Sequence, residues 1–394
     1  MRDFDIILVG GGLANGLIAD RLTSQRPDLR MLIIEARPTL GGDHTWSYHE
    51  TDVTAEQDLW LRSIGKSAWS SQEVRFPSYS RPISTGYRTI VSSDLHNRLV
   101  SNERLNLCLD TKVKDVSPTA IVLQGGQTLT SDCIIDGRGL VSAPGVSIGY
   151  QKFYGLECEL SAPHGLAAPI LMDTTVDQID GYRFMYSLPY SPTKLLIEDT
   201  YYSDTPLLDT NAIEQRVRAY ASLKGWDIAS VDREEKGVLP VVLDGQLEMV
   251  WPRDQTMPRS GMRAGLFHQT TGYSLPFAVQ TADRLSAMQV MESKAAAAFL
   301  RAESQAAWDK QSFFRLLNRF LFLAAQGGER RRIFERFYRL QRPLIERFYA
   351  ANLKTADKAR IIFGRPPVAL HKAVAAIPPG AAASRANGIA APNP

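Results

Sequence analysis

Apolar positions fall into three regimes along the chain. FDIILV (residues 4–9) is a continuous apolar run, as in a strand covered on both faces. GGGLANG interrupts it, and LIADRLTSQ sets Leu17, Ile18 and Leu22 at helical spacing. RMLIIEA predicts a second covered strand, ending at Glu35. SSDLHNRLVSN reads as a helix capped by Ser92 or Ser93. LNLCLDTKVKDVSP and AIVLQGGQTLT alternate as short strands, and CIIDGRG is a strand that breaks at Asp136–Gly137.

From about residue 150 to 260 the pattern is that of antiparallel strands. YRFMYSLPYSPTKLLIEDTYY predicts a hairpin, with strands Tyr182–Leu188 and Lys194–Tyr202 about a PYSPT turn. In GLECEL, Glu157 and Glu159 share a face and are expected to meet solvent. RAGLFHQTTGYSLP (263–276) reads as strand, loop and helix. Beyond 280 the spacing is helical: Phe313, Leu316, Leu317 and Phe320 share one face. Phe334, Phe337, Tyr338, Ile345, Phe348 and Tyr349 follow with arginines between them.

Charge changes this picture at the C-terminal end. The 394-residue chain has a net charge of +3, yet residues 301–360 hold 14 Lys/Arg against six Asp/Glu. That segment is too apolar for a nucleic-acid tail. It reads either as a bundle packed on the rest of the fold or as a face lying on an anionic membrane, arginines at the headgroups. No apolar run is long enough for a membrane-spanning helix. MRDFDIILVGGG lacks the basic start of a signal peptide, and Cys108, Cys133 and Cys158 match no metal or disulfide spacing, so a cytoplasmic setting is expected. The Ala/Pro/Gly-rich end predicts a disordered tail.

The first three elements carry the first chemistry. Gly10 permits a tight turn, Gly11 and Gly12 let a pyrophosphate approach, and the helix N-terminus offers free N–H groups. Glu35 stands where a ribose hydroxyl would be met. Asn15 occupies the place of the usual third glycine, with Gly16 one position late. A second glycine pair, Gly41–Gly42, follows. A single fingerprint argues against a separate, built-in NAD(P)H domain. The second chemistry is the adjacent acids Glu198 and Asp199 within an apolar strand. Strand alternation sends one to each face, so only one can enter a pocket. An edge strand whose charges deter aggregation is the competing account.

DIILVGGGLANGLIA, GGDHTWSYH (41–49), IIDGRG (134–139), LLIEDTYY, GVLPVV (237–242) and FHQTTGYSLPFA (267–278) together resemble the bacterial lycopene β-cyclases, over nearly the whole chain. The resemblance implies an α/β fold: a Rossmann-type FAD-binding domain of the flavoprotein hydroxylase and reductase kind (1–150 and 261–290), an inserted antiparallel substrate sheet (151–260 with part of 43–90), a basic helical region (291–370) and a tail (371–394). It implies a redox-neutral, acid-catalysed isomerisation of lycopene to β-carotene by way of γ-carotene, with reduced FAD present and NAD(P)H as electron source. It also implies peripheral contact with a membrane. Glu198 and Asp199 match the family's acid pair: Glu198 is expected to donate the proton and Asp199 to tune or orient it, with the reverse assignment the alternative. Asp136, Gly137, Gly272 and Tyr273 join Gly10, Gly11, Gly12, Glu35, Gly41 and Gly42 as expected cofactor contacts. Tyr182, Phe184, Tyr186, His44, Trp46 and His268 are weaker candidates for shaping the site or steadying a cation. A flavin monooxygenase or reductase acting on an isoprenoid is the alternative enzyme, and a non-catalytic isoprenoid carrier the alternative outside enzymes.

Overall fold

The computed structural model describes residues 2–65, 67–140, 143–363 and 370–382. Its nucleotide sheet runs in the order Leu105–Cys108, Met31–Ile34, Phe4–Val9, Thr128–Asp136, Ala120–Leu123, Val113–Val116. The first three pairings are parallel and the last two antiparallel. Ile6, Ile7, Leu8, Met31 and Ile33 are fully buried, which is why these strands read as unbroken apolar runs. Helix Leu13–Gln25 leaves the first strand and packs against helices Ser92–Val100 and Leu275–Ser286. Gly16 is where it comes close: a Cβ there would stand 3.0 Å from Leu95 Cδ2 and 3.2 Å from Leu99 Cδ1.

The second sheet has the order Ile228–Asp244, Ser147–Leu160, Lys194–Ser203, Tyr182–Pro189, Ile170–Asp173, Gln72–Phe76, Tyr79–Ile83. Every pairing is antiparallel except that of Ile170–Asp173 with Gln72–Phe76. The strand bearing the two acids is therefore interior, paired on both sides, and the edge-strand account fails. Its rear face packs on helix Thr210–Leu223 through Ile213, Val217 and Tyr220. Its front face looks into a cavity. A small sheet of Thr45–His49, Tyr87–Val91 and Ser67–Trp69 stands beside it.

Four local expectations change. Ser92 and Ser93 do not cap their helix: they lie within Ser92–Val100, whose cap position is Val91 with no side-chain bond. The RAGLF stretch forms no strand: Gly261–Ala264 is a short 3-10 turn, and the chain enters helix Leu275–Ser286 from a loop. Glu157 is drawn largely out of solvent, because Lys194 and Arg233 on the flanking strands bind it at 2.9 and 3.0 Å; Glu159 is half-buried. The expected tail from 371 is structured as far as 382. Helix Leu370–Ala375 leads to Ala376 and Ile377, whose carbonyls accept from the buried Arg319. Residues 383–394 lie outside the described part.

The C-terminal helices put their aromatic residues inward. Phe334 stacks on Tyr182 with ring centroids 4.2 Å apart, and Phe314, Phe337 and Phe348 pack around one another and His268. Several arginines turn inward too. Arg330, 1% exposed, donates to the Tyr202 carbonyl and pairs with Asp204, which fastens helix Glu329–Tyr338 to the large sheet.

Candidate active site

A cavity of about 480 Å³ lies between the nucleotide sheet and the front face of the large sheet. Gly12, Gly41, Gly137, Gly272 and Tyr273 border one end of it, and Phe153, Phe184, Tyr186, Glu198, Tyr202 and Glu235 the other.

The glycine turn is held by side chains that a fingerprint alone does not reveal. Gly10 has φ +90°, and a Cβ there would meet the Gly137–Arg138 backbone at 3.2 Å. Glu35 accepts the Gly11 N–H at 2.7 Å and the Arg37 N–H at 3.0 Å, so its carboxylate braces the turn. Asn15 donates to the carbonyls of Val9 and Gly10 at 3.1 and 2.8 Å, and its oxygen accepts from Ser260 at 2.6 Å. That ties the turn to Gly137, where a Cβ would fall 2.6 Å from the Asn15 amide. Gly12 caps helix Leu13–Gln25 and has open space where a Cβ would be, so the first N–H groups face the cavity.

These residues fit a dinucleotide. The helix N-terminus and glycines suit a pyrophosphate. Further along, Gln151 Oε1 is buried without a partner, beside the position a Gly272 side chain would fill. Asp136 has another task. It is 2% exposed and paired with Arg138 and Arg263, both at 2.9 Å, and does not border the cavity; Gly42 is set back likewise.

Glu198 and Asp199 part company as strand geometry requires. Glu198 enters the cavity, where its neighbours are mainly aromatic and apolar. It accepts one short hydrogen bond, from Thr200 Oγ1 at 2.6 Å. Burial and, second to it, the negative charge of Glu235 push its carboxyl up to about 8. Asp199 is fully buried on the opposite face. Arg183 holds it by three contacts of 2.8–3.1 Å, and the Tyr201 hydroxyl donates to it at 2.7 Å. Burial raises its carboxyl against the pull of Arg183. Asp199 thus anchors the strand and does not reach the cavity.

The weaker candidates divide. Phe184, Tyr186, His44 and Trp46 border the cavity. Tyr186 and Tyr273 join a hydroxyl chain, each bonding the Tyr87 hydroxyl, at 3.0 and 2.7 Å, with Ser47 on Tyr186 at 2.9 Å. Tyr182 lies behind the wall, its hydroxyl directed at Met172. His268 is fully buried and away from the cavity. Its Nε2 donates to the Phe348 carbonyl at 3.0 Å and its Nδ1 accepts from the Thr270 and Thr271 N–H groups. Burial pushes it down to about 4, so it is a neutral loop brace.

Sequence reasoning missed Glu235. It stands in DREEKGV, which reads as a solvated charge run, yet it is 2% exposed and borders the cavity. Thr45 binds it through N–H at 2.6 Å and through its hydroxyl, and Arg233 donates to it at 3.3 Å. No local signal singles it out: residues 235–239 all border the cavity, so alternation alone does not separate Glu235 from Lys236.

The chain is similar along its length to known proteins. Residues 5–375 match the family described as lycopene cyclase protein. A lycopene beta-cyclase of Pantoea ananas is 46% identical, over 95% of this chain and 98% of its own. One from Pseudescherichia vulneris is 47% identical, over 94% and 96%. Among solved structures, a flavin-dependent brominase superposes with a TM-score of 0.56 at 15% identity, covering 88% of this chain and 93% of that one. A geranylgeranyl bacteriochlorophyll reductase-like protein from Thermoplasma acidophilum gives 0.55 at 12%, covering 92% and 96%. The fold is therefore the Rossmann-type one of flavoprotein hydroxylases and reductases, carrying an inserted sheet. By the match over residues 5–375 and these identities, the chain belongs to the lycopene cyclase family.

Proposed function

We propose that the protein closes the linear ends of lycopene into β-ionone rings, giving β-carotene by way of γ-carotene, and that Glu198 supplies the proton. The observation that carries this reading is Glu198 itself, a carboxyl kept protonated near neutral pH at the floor of an aromatic cavity. Its proton adds to the terminal trisubstituted alkene, leaving a tertiary cation. The neighbouring double bond attacks that cation, forming the ring and moving the charge inward. Loss of a ring proton places the final double bond. One proton enters and one leaves, so the reaction is an isomerisation. Phe153, Phe184, Tyr186 and Tyr202 line the cavity, where aromatic rings would steady a migrating positive charge and exclude water that would trap it as an alcohol.

The nucleotide end of the cavity suits FAD, with the pyrophosphate at Gly11–Gly12 and the isoalloxazine near Gly272 and Tyr273. Reduced flavin, with NAD(P)H as electron source, would supply negative charge beside the cation. Oxygenation is the less favoured alternative, since a flavin oxygenase has no use for a protonated acid in this position.

Lycopene resides in bilayers, so we place the protein at a membrane surface, on its cytoplasmic side. Among the described residues no helix is long and apolar enough to cross. Ile362 and Phe363 are exposed, close in sequence to Lys358 and Arg360, which suits shallow contact with anionic lipid.

The test is anaerobic incubation with lycopene in liposomes, with FAD alone or FAD plus NADPH, and Glu198→Gln alongside. Cyclised product only with reduced flavin, and none from a flavin-binding E198Q, is expected. An oxygenated product, or full activity in E198Q, would overturn the reading.

A further inference from the structure

We infer that Glu235 is a second functional carboxylate of this cavity, a positioning residue whose fixed negative charge keeps Glu198 protonated for reaction. The inference rests on the acid role of Glu198 given above and adds to it what holds that acid in its reactive form.

The geometry is a single row across the large sheet. Gly155 is the register partner of Glu198 on one side and of Glu235 on the other, and Tyr186 pairs with Glu198 from the next strand. Tyr186, Glu198 and Glu235 all border the cavity. Strand spacing puts the two acidic residues' backbones about 10 Å apart. The residue between them is Gly155, so no side chain rises between them from that position. A Cβ on Gly155 would crowd Glu198 Cβ at 3.1 Å.

The two acids are bound unequally. Glu235 receives the Thr45 N–H, the Thr45 hydroxyl and an Arg233 N–H. A backbone N–H and a guanidinium can only donate, so these partners fill the oxygens of Glu235 with donors and hold its carboxylate in place. Glu198 has one neutral donor, Thr200, and no cation of its own. Arg233 is shared with Glu157 and the Asp43 carbonyl, which divides its charge away from Glu198. The charged and titratable groups about Glu198 are Asp199 behind the strand, Glu157, Arg233, Glu235 and Lys236 on the flanking strands, Tyr186 and Tyr202 beside it, and His44, Tyr273 and Tyr349 across the cavity. Asp199 is neutralised by Arg183, leaving Glu235 as the charge that faces it across an open space.

Saturation with donors also makes Glu235 a poor acceptor for the ring proton, which is why its role is electrostatic. Thr45, which clamps it, lies in the GGDHTWS segment beginning at Gly41. The charge is therefore fixed jointly by the large sheet and by the loop that edges the nucleotide site.

Glu235→Gln is the test, because the amide can still bond Thr45 while the charge is lost. Two quantities are measured: the alkaline limb of kcat with FAD and NADPH, and the protonated-carboxyl infrared band of Glu198, obtained in substrate-free protein as wild type minus E198Q. Removing one charge at this range moves both midpoints down by about one pH unit, a loss of about tenfold at the alkaline end that vanishes at the acidic end. Arg233→Gln removes the opposing charge and moves the band upward, a reversal that general damage to the site does not produce. Unmoved midpoints in a folded, flavin-binding E235Q overturn the inference. So does an unmoved or lowered band in R233Q, which serves if E235Q does not fold. A wild-type protein that makes no cyclised product refutes the proposed function, while the infrared shift still decides the role of Glu235.

Discussion

Replacing Asp199 separates the strand's anchor from its chemistry. Asp199→Asn keeps the shape of the side chain but leaves Arg183 as an uncompensated charge, with both residues under a tenth exposed. Breaking a buried pair this way costs about 3–5 kcal/mol. At about 2.1 cal/mol/K of unfolding entropy per residue over the 394-residue chain, that lowers Tm by about 4–6 °C. Thermal circular dichroism reads the shift. Turnover per folded, flavin-loaded molecule at a temperature well below the transition is expected to fall no more than severalfold on the acidic side, with the alkaline limb moved down, because the Asp199 charge also raises the Glu198 carboxyl. Arg183→Met together with Asp199→Leu removes both charges and should recover most of the stability. If D199N melts as wild type does but makes no product, Asp199 belongs to the chemistry and the division of roles across the strand is wrong.

Other outcomes follow from single contacts. Glu198 keeps its proton in the folded protein up to about pH 8, whereas an unfolded chain loses it near 4.5. The native state therefore binds more protons in that window and stability falls as pH rises through it. Glu198→Gln should be inactive yet more stable than wild type at pH 8, by about 1–2 kcal/mol after allowing for cavity water, with the gain gone at pH 4; urea denaturation at both pH values checks this. Gly11→Ala drives a Cβ to 2.3 Å from Leu40 Cδ2 and displaces the N–H bound by Glu35. Flavin fluorescence should show at least about tenfold weaker FAD binding, partly restored by adding Leu40→Ala. His268→Ala orphans the Phe348 carbonyl and two N–H groups. It should cost about 2–4 kcal/mol by denaturant unfolding while creating no change in the pH–rate profile between 5 and 7.

Elements with strong local signals were legible in the sequence. The glycine turn, the hairpin from Tyr182 and the division of Glu198 and Asp199 between opposite faces all follow from periods of two and 3.6 and from turn chemistry, but which acid enters the pocket does not. Where reading failed, the deciding contact came from far along the chain. Tyr182 looks like a pocket aromatic until Phe334 is seen stacked on it, 152 positions away. His268 looks catalytic until the Phe348 carbonyl claims its ring. The arginines after 301 look like a basic surface because composition cannot say that Arg319 and Arg330 close backbone carbonyls in the interior.

Glu235 shows the same limit in its most consequential form. Glu198 is recognisable because its neighbours in sequence are apolar, so an acid there demands a reason. Glu235 has charged neighbours, and nothing local marks it. What marks it is sheet order: the strands carrying the two acids are not consecutive in space but flank the Ser147–Leu160 strand, which meets both at one glycine. Sequence alternation assigns each acid a face but not a register. Only the register brings an anion whose donors come from Thr45 and Arg233 opposite an acid that must stay neutral. Adjacent acids in one strand share no pocket, because the pleat sends them apart, and Asp199 raises Glu198 less than Glu235 does. Acids on alternate strands, in step across a glycine, share one.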